Sequence, residues 1–169
     1  MLVGAGYPTL IDRLLEAPKT LAGHPEWRDV DQHGEVRIVW PVLVAGEISE
    51  ATYQLKAYPR RKPTGFRILL CAPAAVWRLD FDCEQRHTNS LNKPSDLAEH
   101  IIGPRHYHAW SDNRHFATER SLPRYLSNAR NLPPRIRNFG QAQRWFCQQT
   151  NVRLRPEDLL DLPPSDLLL

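Results

Sequence analysis

At 169 residues with 41% apolar content, the chain has the size of one domain with an ordinary hydrophobic core. No run approaches the roughly eighteen apolar residues of a membrane helix, and Met1–Tyr7 lacks the basic and long apolar regions of a signal peptide, so the expectation is a soluble cytoplasmic protein without membrane contact. Cys71, Cys83 and Cys147, an odd set without C-x-x-C spacing, argue against a disulfide framework or a cysteine-type zinc site, and the net charge of +3 hides nine arginines against one acid, Glu119, between Arg114 and Arg155. Guanidinium groups suit phosphate and stack on bases, so a polyanion is one natural partner; pairing with the acid-richer N-terminal part is the other account.

In chain order, Thr9 before Leu10, Ile11, Leu14 and Leu15 predicts an N-cap and a short amphipathic helix ending by Pro18, with Asp12 at the capping-box position. Residues 18–35 have loop composition, including Asp31, with Trp27 as an anchor. Arg37 to Val44 is apolar but interrupted by Pro41, which predicts an edge strand or a bulge. Ala51, Tyr53, Leu55 and Ala57 alternate with polar neighbours, then Phe66, Ile68 and Leu70, then Trp77, Leu79 and Phe81, which together predict an antiparallel meander.

Residues 83–103 form a long polar connection, after which residues 105–110 are expected to rejoin the sheet with His106, His108 and Trp110 on one side. Leu122, Tyr125 and Leu126 suggest a helical turn. Pro133-Pro134 is expected to open a helix with Ile136, Phe139, Ala142 and Phe146 on one face, and Asn151 to end it. Pro156-Glu157-Asp158 starts a last turn ending at Pro163-Pro164. The expected fold is a single α+β domain, 1–169, an antiparallel β-meander with helices packed on one face. Its parts are an N-terminal helix and loop (1–35), the sheet (36–111) and a basic helical part (112–169).

Five of the seven histidines fall between Trp77 and His115. Arg78 and Asp80 should project from the face opposite Trp77 and Leu79, and His106 and His108 on a neighbouring strand would join them, with His87 and Asn89 closing over the group. One imidazole as base and another as acid suffices for metal-free cleavage of RNA by its own 2′-hydroxyl, with Asp80 orienting a ring and arginine stabilising the phosphorane. A second account is a metal held by H-x-H and a third ligand, His87 or Asp80; nearby Arg105 and Arg114 weigh against it. The plain account makes Arg78–Asp80 an ordinary ion pair, His87-Thr88-Asn89 a turn and Trp110 to Asn113 a strand end. Cys83, four residues before His87, is a weaker candidate nucleophile.

Arg78-Leu79-Asp80, His87-Thr88-Asn89 and Pro104-x-His106-x-His108-x-Trp110, flanked by Tyr53-Gln54-Leu55 and by Trp145-Phe146-Cys147 with Asn151-Val152, resemble a family of short uncharacterised bacterial and phage-associated proteins. The resemblance spans roughly residues 50 to 155. Ser90 stands where that pattern has a proline and Arg105 where it has a first histidine. The architecture is similar to small RNase toxins of the barnase and RelE type. Tyr58-Pro59 and Pro63 before Phe66, with His87-Thr88-Asn89 in place of H-P-N, also look like ubiquitin-conjugating enzymes, whose thioester cysteine has no counterpart between Cys83 and Cys147.

The function expected from these residues is a metal-independent, endoribonuclease-like activity on nucleic acid, RNA ahead of DNA, of toxin or phage-defence type and without a cofactor. His106, His108, His87 and Asp80 form the catalytic set. Arg78, Asn89, Trp110, Asn113, Arg114, Arg124, Arg130, Arg135 and Arg137 form the substrate-binding set, with no metal ligand. The alternatives are a non-enzymatic binding or inhibitor module that holds a protein or nucleic acid, and a ubiquitin-conjugating-enzyme-like protein.

Overall fold

A computed structural model describes residues 6–29, 34–83 and 86–163; Asp31 and Pro164, parts of the expected loop and final turn, lie outside them. Helix α1 (Tyr7–Glu16) leads into β1 (Lys19–Leu21), β2 (Arg28–Asp29), β3 (Val36–Val44), β4 (Glu47–Tyr58), β5 (Gly65–Cys71) and β6 (Ala75–Phe81). After them come β7 (His87–Thr88), β8 (Ile101–Ile102), β9 (Arg105–His108), α2 (Trp110–Asn113), β10 (Arg130–Asn131) and α3 (Phe139–Gln149). The main sheet runs β1-β3-β4-β5-β6-β9-β10, with β2 also on β3, and its named strand pairs are antiparallel. β7 and β8 form a separate ribbon inside the connection that reads as loop in the sequence. The fold is α+β. Among the described residues no helix is long and apolar enough to cross a membrane.

Register explains why one sheet face is a core. Ile38, Leu55, Ile68, Leu79 and Tyr107 stand opposite one another across five strands, and the two-residue period puts Trp40, Tyr53, Leu70 and Trp77 on the same side. Helices α1 and α3 cover this face through Ile11, Phe139, Ala142 and Phe146. Trp77 stacks on Tyr107 with centroids 5.1 Å apart and meets Phe146 edge-on, also at 5.1 Å. Each buried large apolar side chain contributes roughly 1.5–3 kcal/mol, which makes this layer the main source of stability.

Several boundaries differ from the sequence expectation. Helix α1 begins at Tyr7 after Gly6, with Pro8 in its first turn, rather than at Thr9. Proline has no N–H to lose at that end of a helix, so it starts one readily. Asp12 does not close a capping box: it accepts from Trp110 Nε1 at 2.8 Å and from the Arg114 guanidinium at 2.7 Å. Of the two alternatives expected at Pro41, the edge strand fails, because β1 and β2 pair with the other side of β3, and the bulge holds, since the pairing with β4 shifts register between Pro41 and Leu43. That irregularity sits where proline has no N–H for the ladder.

Residues 122–126 are not helical, and α3 begins only at Phe139. Its start is set by Asn138, whose side chain accepts from the Gln141 N–H at 2.9 Å, and not by the proline pair. Asn151 follows the helix with φ +53°, the left-handed conformation that ends helices. Lys19 is an unforeseen tie. Its buried ammonium donates to the carbonyls of Leu14, Leu15 and Ala17, closing the C-terminal end of α1.

Candidate site: a buried histidine cluster at the end of a cationic sheet face

β6 and β9 pair so that Arg78 stands opposite His108 and Asp80 opposite His106. Alternation sends all four to the face away from the helices, where Asp80, His106 and His108 are each 0% exposed. The chain around Asn128 and the β7–β8 ribbon roof this end of the sheet, and β7 delivers His87, which is half-buried. The ring centroids lie 4.7 Å apart for His87–His108, 5.1 Å for His106–His108 and 5.4 Å for His87–His106. One ring nitrogen of each lies within 4.8 Å of the other two.

Backbone carbonyls decide which nitrogen of each ring carries the proton. His106 Nδ1 donates to the Gly103 carbonyl at 2.8 Å, His108 Nδ1 to Asn128 at 3.1 Å, and His87 Nε2 to Ser127 at 3.0 Å. A carbonyl only accepts, so in the neutral rings the lone pairs sit on Nε2 of His106 and His108 and on Nδ1 of His87. Burial holds the His108 imidazole well below its usual pKa, with the Arg78 charge acting in the same direction. Burial also lowers His106, against the opposing pull of Asp80. Both rings are neutral at pH 7.

Asp80 is the charge centre. Its Oδ1 accepts from Arg67 Nε, and its Oδ2 accepts from Arg78 Nε at 2.6 Å. Arg78 also places Nη2 2.7 Å from His108 Nε2. Asp80 Oδ2 lies 3.6 Å from Nε2 of both His106 and His108, too far for a hydrogen bond. His106 Nε2 is buried with no hydrogen-bond partner among the described residues.

The cluster ends a longer feature. Arg37, Lys56, Arg67, Asp80 and His106 stand in one row across β3, β4, β5, β6 and β9, and Arg78 and His108 lie in the adjacent row. At about 4.8 Å between strands the row is roughly 19 Å long. Four cations face two carboxylates, since Glu35 adds to Asp80 by pairing with Arg37 at 3.0 Å and Lys56 at 3.9 Å. The cationic side chains keep 21–35% of their surface in water, so this face is open where the His cluster is closed.

Of the expected catalytic set, His87, His106, His108 and Asp80 come together. The acid–base division expected of His106 and His108 meets an obstacle, since burial makes both neutral and supplies two bases without an acid. Of the expected binding set, only Arg78 is at the cluster. Asn89 is 2% exposed and bridges backbone, donating to the carbonyls of Glu99 and Ala129 at 2.9 Å and accepting from the Ala129 N–H at 2.7 Å. Asn113 does the same for Ala109 and Asn128. These two amides position the roof instead of meeting substrate.

Trp110 opens α2, so it leaves the strand face expected for it, and it is buried against Asp12. Arg114 is held by Asp12; Arg130, opposite Tyr107 in register and so on the other face, is held by Asp112 and Asp96 at 2.7 and 2.8 Å. Arg135 and Arg137 precede α3 on the helical side, and Arg124 lies over the Tyr125 ring at 5.2 Å, all three exposed. Cys83 is poorly placed for the nucleophile's role. Burial, aided by the Asp80 charge, pushes its thiol up to about 12, and Sγ lies 3.0 Å from the Phe66 carbonyl.

The sequence reading missed Arg37, Lys56 and Arg67. Each is the polar member of a strand, a visible signal, but their alignment depends on the register of three strands. Comparison with protein-family models, with curated proteins and with solved structures finds no match to this chain.

Proposed function

We propose that the protein acts on single-stranded nucleic acid, RNA ahead of DNA, with the phosphate backbone along the open sheet face and a phosphodiester presented to the histidine cluster. The row from Arg37 through Lys56 and Arg67 to Asp80 and His106 carries this reading, because it leads cationic surface directly to three imidazoles. Arg78, already bonded to His108 and partly exposed, is the donor nearest to charge developing on a phosphate. His87 is the ring at the rim that a substrate reaches first. The activity proposed is endoribonuclease-like.

The test is fluorescence anisotropy with labelled single-stranded RNA and DNA over a salt series, followed by cleavage with the protein limiting. Binding should weaken with salt, and Lys56→Ala should reduce the slope of log K against log salt by about 0.7, the value for one phosphate contact on a single strand. His87→Ala should abolish cleavage and leave binding in place. Absence of binding at low salt, or a slope indifferent to Lys56→Ala, refutes the reading. A binding module is the second reading, favoured by the complete burial of His106 and His108. It gives saturation at a fixed ratio and no turnover.

A further inference from the structure

We infer that His87, His106, His108 and Asp80 form a binding site for one borderline divalent transition-metal ion, with Zn²⁺ the type case. The argument is one of converging lone pairs. Each ring commits its N–H to a backbone carbonyl, of Ser127, Gly103 and Asn128 respectively, and one nitrogen of each ring lies within 4.8 Å of a nitrogen of the other two. The Asp80 carboxylate lies beside two of the rings, its Oδ2 3.6 Å from Nε2 of His106 and of His108. With Nδ1 of His106 and of His108 donating to carbonyls, their Nε2 lone pairs and the Asp80 carboxylate oxygen are all acceptors, so they repel unless a cation stands among them.

Arg78 supplies part of that cation, reaching His108 Nε2 and Asp80 Oδ2 together, but leaves His106 Nε2 buried and unpartnered. A metal ion would satisfy every one of these atoms. Three carbonyls fixing the rings through their other nitrogens are the outer-shell support that metal-binding histidines ordinarily have.

The donor set selects the metal. Three imidazoles and one carboxylate suit Zn²⁺, Co²⁺ or Ni²⁺, whereas Ca²⁺ and Mg²⁺ prefer oxygen. Bonds of about 2 Å at tetrahedral angles bring ligand nitrogens roughly 3.3 Å apart, so the rings must close in from the present spacing. His87, half-buried on the two-residue strand β7, is the ligand freest to move. Arg78, with 22% of its side chain in water, can swing outward when the ion enters. The arginine and the metal then compete for one place, and the ion would provide the Lewis acid that two neutral histidines lack.

This inference deepens the proposed function at the same site, but its test needs no nucleic acid. The full chain, treated with EDTA and desalted, is titrated with Co²⁺ and followed by visible ligand-field absorption, and Zn²⁺ is then added in competition. One equivalent of Co²⁺ per chain should develop the absorption and Zn²⁺ should displace it. His87→Ala and His106→Ala should each weaken binding by more than about 100-fold, beyond the ~10–100-fold typical of losing a supporting partner. Arg78→Ala should bind the metal more tightly, and His100→Ala, at an exposed histidine outside the cluster, should bind as the parent does.

No saturable uptake, or uptake unchanged in His87→Ala, overturns the inference; His87 lies at the rim, so its variant remains informative if His106→Ala fails to fold. Metal binding without RNA binding removes the proposed function and leaves the site standing. RNA binding without metal uptake does the reverse.

Discussion

Asp80 and His106 face each other across the β6–β9 pair with both side chains 0% exposed, their Oδ2 and Nε2 atoms 3.6 Å apart, beyond hydrogen-bond reach. A buried carboxylate beside a neutral imidazole is tolerated here because Arg67 and Arg78 hold the carboxylate from two sides. The charge of Asp80 therefore determines whether this end of the sheet holds together.

Asp80→Asn should destabilise the protein by about 3 kcal/mol, the low end of the range for breaking a buried ion pair, because Arg67 and Arg78 each keep some contact with water. Urea unfolding with an unchanged m-value checks it. A change under 1 kcal/mol would mean that the arginines find other partners.

The histidines predict an acid-sensitive fold. His106 and His108 have lowered pKa values in the fold, so below about pH 6.5 the unfolded chain takes up protons that the native state refuses. Stability is then fully present above pH 6.5 and falls as pH drops toward the folded-state values, by up to about 1.4 kcal/mol per pH unit for each ring. Denaturant unfolding in EDTA from pH 7.5 to 5.5 measures this. His108→Asn should flatten the dependence.

Asn89 tests the difference between holding substrate and holding the roof. Its amide makes three hydrogen bonds to backbone, two of them to the buried Ala129, so Asn89→Ala should cost about 2–3 kcal/mol and lower the melting temperature. A substrate-contacting residue would instead lose binding at constant stability. Measuring both quantities in one variant separates the two.

Lys19→Met keeps an unbranched side chain one atom shorter but strips three carbonyls at the end of α1 of their donor. A hydrogen bond involving a charged group contributes about 1.5–3 kcal/mol, and a loss of that size is expected in urea unfolding. Nucleic-acid binding should be unaffected, since Lys19 lies on β1, away from the cationic row.

Local pattern by itself determined the strands and their faces. Ala51, Tyr53, Leu55 and Ala57 alternate, as do Phe66, Ile68 and Leu70, so the α+β meander and its apolar layer are legible in the sequence. The pairing of His106 with His108 was legible for the same reason, since a two-residue period is a property of any strand. Where elements begin was less so: Asn138 rather than Pro133-Pro134 starts α3, because a side chain that satisfies a helix N–H competes with an equally plausible proline start.

What only the tertiary structure decided was partnership between distant segments. The sequence shows one acid among nine arginines from Arg114 to Arg155, yet Asp12, Asp96 and Asp112 come from other elements to neutralise Arg114 and Arg130. Register alone aligned Arg37, Lys56 and Arg67 with Asp80 and His106, and a one-residue slip would have sent each to the opposite face. Burial, with the charges that the fold brings beside them, lowered the pKa of His106 and His108, because the pKa of an imidazole is fixed by what surrounds it and not by its neighbours in the chain.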